Sequence, residues 1–342
     1  MRRILAILVV LSGALTAPDS IVARLTPVAP SPVVDSPSYR GPTYGHLLSW
    51  GPDWTVLERD AHEGVDYLLL TSDTTRIEIQ AYPAVAHTPD QCLQRSRLEL
   101  ETHGAVWLER EVAGQHLPGG DRASAAALYR SEPNGSEAAS LHLVQCRPFP
   151  ATDAMLLLHA WSPETTFDHQ ALAVLYLFDA VVLPGLSGTP VPALMPLHVK
   201  RGEPHSPYNS TPPTSGPHYG DEIAAWGVHD QPIEDEVQVH NLEHGGVLLQ
   251  YGCTCPEVRA LLERFAAPET GYPTKVIAAP NPNLETDVAL TAWHYIWTMP
   301  ASEVTEEGVR SFIEAHIDQG FEHVAAETAK LDLWRESTAP TP

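Results

Sequence analysis

DEVQVHNLEHGGVLLQY, residues 235–251, decides how the second half of the chain folds and where its chemistry sits. His240, Glu243 and His244 lie within one short stretch, followed at once by Gly245-Gly246 and an apolar run. Two imidazoles and a carboxylate this close can serve one metal ion, and the glycines let the backbone turn sharply beside it. His240-Asn241-Leu242-Glu243-His244 also has the order H-x-x-E-H of the inverted zinc peptidases. On a helix, His240 and His244 would share a face, with Glu243 near them as the general base of a metal-dependent hydrolase. Two features oppose that reading. Gly245-Gly246 end any helix immediately, and Pro232 limits its start. Val237 and Val239 are β-branched and alternate, which suits a strand at least as well.

Upstream, PPTSGPHY (212–219) sets His218 at the end of a loop stiffened by Pro212, Pro213 and Pro217. The loop belongs to a long irregular stretch, HVKRGEPHSPYNSTPPTSGPHYGDEIAAWGVHDQPI (198–233). So long a stretch without regular structure is more often functional than incidental. A metal centre assembled across turns would draw on His218, His240 and His244, completed by His198 or Glu243. Neutral imidazole suits copper, zinc, iron or nickel, and an oxidising compartment favours copper or zinc. Met299, Cys253 and Cys255 are possible soft ligands that would tilt the choice toward copper. The competing reading is a buried hydrogen-bond network holding a loop-rich domain together, with Glu243 orienting both imidazoles.

The chain has 342 residues, enough for two domains. Lys+Arg 20 against Asp+Glu 43 gives a net charge of −23. Such a surface repels phosphate backbones and anionic lipid, so neither nucleic acid nor a membrane surface is expected as a partner. The 32 prolines imply ordered loops and stiff linkers. Arg2-Arg3, the apolar run 4–11 and the small residues Ser12-Gly13-Ala14 describe a signal peptide, with residues 1–30 as leader and flexible start. The run is too short to span a bilayer, so no membrane span is expected after cleavage and the mature protein is expected to be secreted. In that compartment Cys92 and Cys146 can pair. Cys253 and Cys255 form a C-x-C, where a disulfide is strained; a soft-metal site or two small buried residues at a strand-to-helix corner are the alternatives.

The first domain, 39–182, reads as strands with one helix in the middle and one at the end. RIEIQAY (76–82) alternates, so one face is buried, and YLLLT (67–71) pairs with it across Ser72-Asp73-Thr74. Thr88-Pro89-Asp90 caps a helix reaching 102. Further strands are expected at 46–50, 54–59, 106–112, 124–129, 140–146 and 155–161. A closing helix at 167–182 has Leu172, Leu175, Leu177 and Val181 among its apolar positions. No clustered ligands stand out here, and the order of elements loosely resembles PsbP-like domains. LPGLSGTPVPALMPL (183–197) reads as a linker.

The second domain, 198–334, is expected to hold strands at 246–251, 274–279 and 288–297 and helices at 256–266 and 302–317. The fold class is therefore α+β: two domains, each a mainly antiparallel sheet with helices packed on it. His294 would be a strand residue on the polar face. PPTSGPH, then WGVHDQP, then VHNLEHGG ahead of an apolar strand, then TAW, looks like the DUF3105 family, over most of 198–319. The family is one of unknown function, so the resemblance implies a fold and a histidine-rich site but no activity. The matching polar residues are His198, His218, His240, Glu243 and His244. The sequence departs at His229, where a Tyr is expected, and in extra residues between His198 and Tyr208 that make His205 a competitor for His198. The favoured reading is an exported protein holding a transition metal for storage, delivery or sensing. The alternatives are the hydrolase, with Glu243 its catalytic group, and a metal-free interaction or scaffold protein.

Overall fold

A computed structural model describes residues 37–84, 87–113, 117, 120, 123–133, 138–322 and 331. The expected leader, most of the Pro/Ser spacer after it and the C-terminal tail lie outside them. The first elements are β1 (Ser38–Arg40), β2 (Leu47–Ser49), β3 (Thr55–His62), β4 (Val65–Ser72) and β5 (Thr75–Pro83). Then come α1 (Pro89–Glu101), β6 (Gly104–Ala113), β7 (Ala125–Pro133), β8 (Ser140–Pro148), β9 (Ala154–Pro163) and α2 (Glu164–Asp179). Strands β3 to β9 form a seven-stranded antiparallel sheet in the order β3-β4-β5-β9-β8-β7-β6.

The alternation in β5 holds, with Ile77, Ile79 and Ala81 buried. The start of α1 is a capping box: the Thr88 hydroxyl accepts from Gln91 N, and the Gln91 side chain accepts from Thr88 N. Helix α1 lies on one face, where Cys92 and Cys146 form a disulfide inside the apolar layer of Val106, Tyr129 and Leu157. Helix α2 covers the other face with Phe167, Val174, Leu177 and Phe178. It is shorter than the sequence suggests. It stops at Asp179, and Val181–Val182 become β10, which pairs with β2. Buried Arg147 fixes this corner by donating to Phe178 O and Val181 O, and Leu172 faces solvent rather than the core.

The 183–197 stretch carries β11 (Thr189–Pro190), followed by β12 (His198–Val199), β13 (His218–Tyr219), β14 (Gly227–Val228) and α3 (Asp235–Glu243). The chain continues through β15 (Val247–Tyr251), α4 (Pro256–Ala266), β16 (Val276–Pro280), β17 (Val288–Ala292), β18 (Tyr295–Met299) and α5 (Glu306–His316). The second sheet runs β11-β18-β17-β15-β16-β14. Three of its pairings are antiparallel, while β15–β16 and β14–β16 are parallel. Helices α4 and α5 bury Leu262, Phe265, Val309, Phe312 and Ile313 against one face. Helix α3 lies on the other, with Val239 and Leu242 on Leu248, Ile277 and Trp293.

Residues 235–243, which the sequence leaves open between helix and strand, are helical, and the glycines after them close the helix end. Three local expectations are corrected here. The stretch 288–297 is a hairpin that turns at Trp293-His294, with His294 at φ 65°. His294 is therefore a buried turn residue and not one on a polar strand face. The last helix starts at Glu306 on the Thr305 cap, three residues beyond a short 3-10 turn at Ala301–Glu303 where Ser302 had looked like the cap.

Candidate metal centre

Helix α3 ends in the pattern that glycine allows. Gly245 takes φ 77°, Gly245 N donates to Leu242 O at 2.8 Å, and Gly246 N donates to Asn241 O at 2.9 Å. These paired bonds satisfy carbonyls that a helix end would leave bare. A second segment fastens this corner: Asp318 N donates to Gly245 O at 2.8 Å and Glu322 N to Glu243 O at 2.9 Å. A Cβ on Gly320 would lie 2.0 Å from Glu243 O, so only glycine permits the approach. Fully buried Lys275 pairs with Asp318 and holds the same turn. The helix thereby presents His240, Glu243 and His244 together.

His218 arrives from its loop. Tyr208 donates to Pro217 O at 2.5 Å, Leu194 N to the Ser215 hydroxyl at 3.0 Å, and His294 N to Thr214 O at 3.1 Å. His218 then pairs in parallel with His198, and His218 N donates to Leu197 O at 2.9 Å. The His198 ring crosses Gly220, where a Cβ would sit 2.6 Å from it. Ring centroids are 4.9 Å apart for His198–His218, 5.1 Å for His218–His240 and 4.6 Å for His240–His244. The ligating atoms of His198, His218 and Glu243 lie within 4.8 Å of one another, as do those of His240, Glu243 and His244. Tetrahedral zinc with bonds near 2.1 Å would set its donors roughly 3.4 Å apart, so modest contraction suffices.

The outer hydrogen bonds fix which ring atoms face inward. Nδ1 of His218 meets Gly216 O at 2.9 Å, and Nδ1 of His240 meets Glu222 O at 2.9 Å. Nε2 of His244 lies 3.3 Å from the Glu322 carboxylate. A neutral ring that donates from one nitrogen carries a bare lone pair on the other. Thus His218 and His240 present Nε2, and His244 presents Nδ1. Nε2 of His218, Oε2 of Glu243 and Nδ1 of His244 are buried without a hydrogen-bond partner. His218 Nε2 and Glu243 Oε2 are 2.9 Å apart, yet the geometry is not that of a hydrogen bond. Two lone pairs facing each other at that distance repel unless a cation or a proton lies between them.

Charge reinforces the site. Burial pushes the Glu243 carboxyl up, and donation from protonated His198 and His218 rings would outweigh burial and hold it at about 2; a bound cation would take the place of those protons. Burial and then neighbouring His244 push His240 down from its ordinary value, which favours the neutral, ligating form. Glu243 raises exposed His198, which burial opposes.

The five sequence-derived residues therefore fall into two overlapping groups, His198 with His218 and Glu243, and His240 with Glu243 and His244, joined at Glu243. His198 joins at the rim, 4.0 Å from Glu243, with its side chain 56% exposed. Its competitor His205 instead bonds Glu236 at 3.1 Å. The proposed soft ligands do not join. Met299 is buried in the core against α4 and α5, and Cys253 is disulfide-bonded to Cys255. Sequence reasoning missed Glu322 and Asn241. The Asn241 side chain exchanges two hydrogen bonds with Ala224, which brings the Glu222 carbonyl to His240; the signal was its place inside H-x-x-E-H.

The first half does contain a polar cluster, contrary to expectation. Ser131 meets His142 at 2.8 Å, His142 meets His159 at 3.0 Å, and His159 lies 3.5 Å from Glu78. Each nitrogen there has a partner, and burial pushes His142 down to about 3, so the cluster offers neither a free ligand nor a useful base.

Fold and site together define an α+β protein with a histidine/carboxylate cluster that can hold a metal ion. Residues 198–329 match DUF3105, a family described as protein of unknown function. Among solved structures, cyanobacterial PsbP (CyanoP) from Synechocystis sp. PCC 6803 is similar at 11% identity and TM-score 0.34, over 47% of this chain and 99% of that one. LpqN of Mycobacterium tuberculosis, described as involved in cell envelope biogenesis, is similar at 12% identity and TM-score 0.29, over 43% and 83%. A Pseudomonas aeruginosa protein of unknown function, PA94, gives 12% and 0.29, over 44% and 98%. No curated protein matches the chain.

Proposed function

We propose that the C-terminal part binds one zinc or copper(II) ion through His218, His240, His244 and Glu243, with His198 as a fifth, exchangeable ligand at the rim. The observation that carries this reading is the set of inward atoms on His218, Glu243 and His244, buried without partners while the outer nitrogens are engaged. A self-sufficient hydrogen-bond network would pair those atoms. The donor set is nitrogen and oxygen, since the cysteines are oxidised and Met299 lies elsewhere, which suits zinc or copper(II) rather than copper(I).

Storage, delivery or sensing of the ion is preferred to hydrolysis, because Glu243 faces His198 and His218 as a donor instead of standing free as a base. The site of action is extracytoplasmic. The basic and apolar N-terminal run and the two disulfides support export to an oxidising space. Among the described residues no helix is long and apolar enough to cross a membrane.

Competition titration of purified, metal-stripped protein against a chromophoric zinc or copper chelator tests the reading. One equivalent should bind, and His218→Ala/His240→Ala should weaken it at least about 100-fold, since two ligands are lost. Equal affinity in both proteins would refute the assignment.

A further inference from the structure

The Cys253–Cys255 pair is unused by the metal centre. It lies at the corner where β15, a strand between β16 and β17, delivers the chain into α4. Strand β15, helix α4 and strand β16 form a parallel crossover, and both cysteines lie just beyond the carboxyl end of β15. Gly252 N is tied to Asp287 O at 2.9 Å, Cys255 is the N-cap residue of α4, and Pro256 opens the helix. Redox dithiols of βαβ units are C-x-x-C pairs between a strand and its crossover helix; this pair occupies the same place as a C-x-C, with one residue fewer between the cysteines.

The two disulfides of the chain differ in every respect that separates a staple from a reactive bond. Cys92–Cys146 closes a sequence separation of 54 and is buried, with Cys92 3% and Cys146 0% exposed. Cys253–Cys255 closes a separation of 2, and both residues are half-buried. So short a loop removes little freedom from the unfolded chain, so the bond contributes little as a staple. Accessible, weakly stabilising disulfides are the ones that exchange.

We propose that Cys253–Cys255 is a thiol–disulfide exchange site that oxidises dithiol peptides or proteins. One substrate thiolate attacks the Cys253 sulfur. A mixed disulfide forms, the Cys253–Cys255 bond breaks, and Cys255 leaves as the thiolate. Cys255 is the better leaving group because it sits at the start of α4, where helix amides favour negative charge, although Glu257 in the first turn opposes this. The second substrate thiol, deprotonated, attacks the substrate sulfur of the mixed disulfide and displaces Cys253. Two electrons and two protons pass from the substrate, which ends as a disulfide, to the cysteine pair, which ends as a dithiol.

The full-length oxidised chain, equilibrated in glutathione buffers of graded reduced-to-oxidised ratio, then alkylated and read by peptide mass spectrometry, tests this directly. Cys253–Cys255 should be half reduced in a buffer at least about 100-fold less reducing than the one that opens Cys92–Cys146. A reduced dithiol peptide should be oxidised with a stoichiometry near one per chain. Cys253→Ser and Cys255→Ser should each abolish that, whereas His240→Ala/His244→Ala should retain it, which separates this activity from the metal site. Opening of both disulfides together, or peptide oxidation unchanged in the serine variants, would overturn the proposal. If a serine variant does not fold, the titration of the wild-type chain alone decides.

Discussion

Replacing Asp179 by Ala should loosen the second sheet and the metal site together. Asp179 ends α2, and its buried carboxylate accepts from Trp293 Nε1 at 3.0 and 3.1 Å and from His294 Nε2 at 3.0 Å. Asp179, Trp293 and His294 are 2%, 3% and 4% exposed, so water cannot replace the lost acceptor without opening the structure. Each stranded buried donor costs about 1–3 kcal/mol, and two give a loss of about 2–6 kcal/mol. Asp179→Asn keeps one oxygen and should lose roughly half as much. His294 N also donates to Thr214 O in the loop that delivers His218, so the Ala variant should bind metal more weakly as well. Urea unfolding followed by tryptophan fluorescence reads the first effect as a lower midpoint at unchanged slope. Chelator competition reads the second. A stability loss under about 1 kcal/mol in Asp179→Ala would refute the reasoning.

Four further outcomes are expected. Glu322→Gln removes the carboxylate that orients His244 and should weaken metal binding about 10- to 100-fold in the same competition assay, with little change in stability of the stripped protein. Gly245→Ala forces an alanine to φ 77° with its Cβ 2.7 Å from Asp318 Cα; it should cost at least about 1–2 kcal/mol in urea melts. Burial pushes His46 and His316 down to about 4 and His142 to about 3, so the unfolded chain binds protons first as pH falls. Stability is therefore full above about pH 6.5 and should decline from there toward pH 4, by up to roughly 3 kcal/mol for a ring moved from 6.5 to about 4; urea midpoints at pH 7 and 4.5 check the sign. Finally, Cys92→Ser/Cys146→Ser opens a long loop and should cost about 4 kcal/mol, against about 1 kcal/mol for Cys253→Ser/Cys255→Ser, in paired denaturation curves.

In the first sheet, strand β5 was legible from its alternation, as in 76–82, while β8 and β9, covered by a helix on each face, are buried nearly throughout, and β9 reads as a nearly continuous apolar run. The α1 start was legible from Thr88, Pro89 and Gln91, a purely local signal. Helix α3 stayed ambiguous between helix and strand for a physical reason. It is buried along almost its whole length, so it has no polar face to mark its period, and Val237 and Val239 suggest a strand when taken alone. The turn at Trp293-His294 was hidden because His294 takes φ 65° without glycine, held there by Asp179 and Thr214 from distant parts of the chain. At the site, residue types and motif order brought out His198, His218, His240, Glu243 and His244. The carbonyls of Gly216 and Glu222 and the carboxylate of Glu322 stayed invisible, because a backbone acceptor has no residue signature and Glu322 lies far along the chain. Those groups decide which ring nitrogens face inward.

Metal content of the protein purified from its own cells, by elemental analysis, tests the central claim most directly. About one zinc or copper per chain should copurify with the wild-type protein, and the His240→Ala/His244→Ala variant, purified alongside, should carry almost none. The same metal content in both proteins would contradict the account.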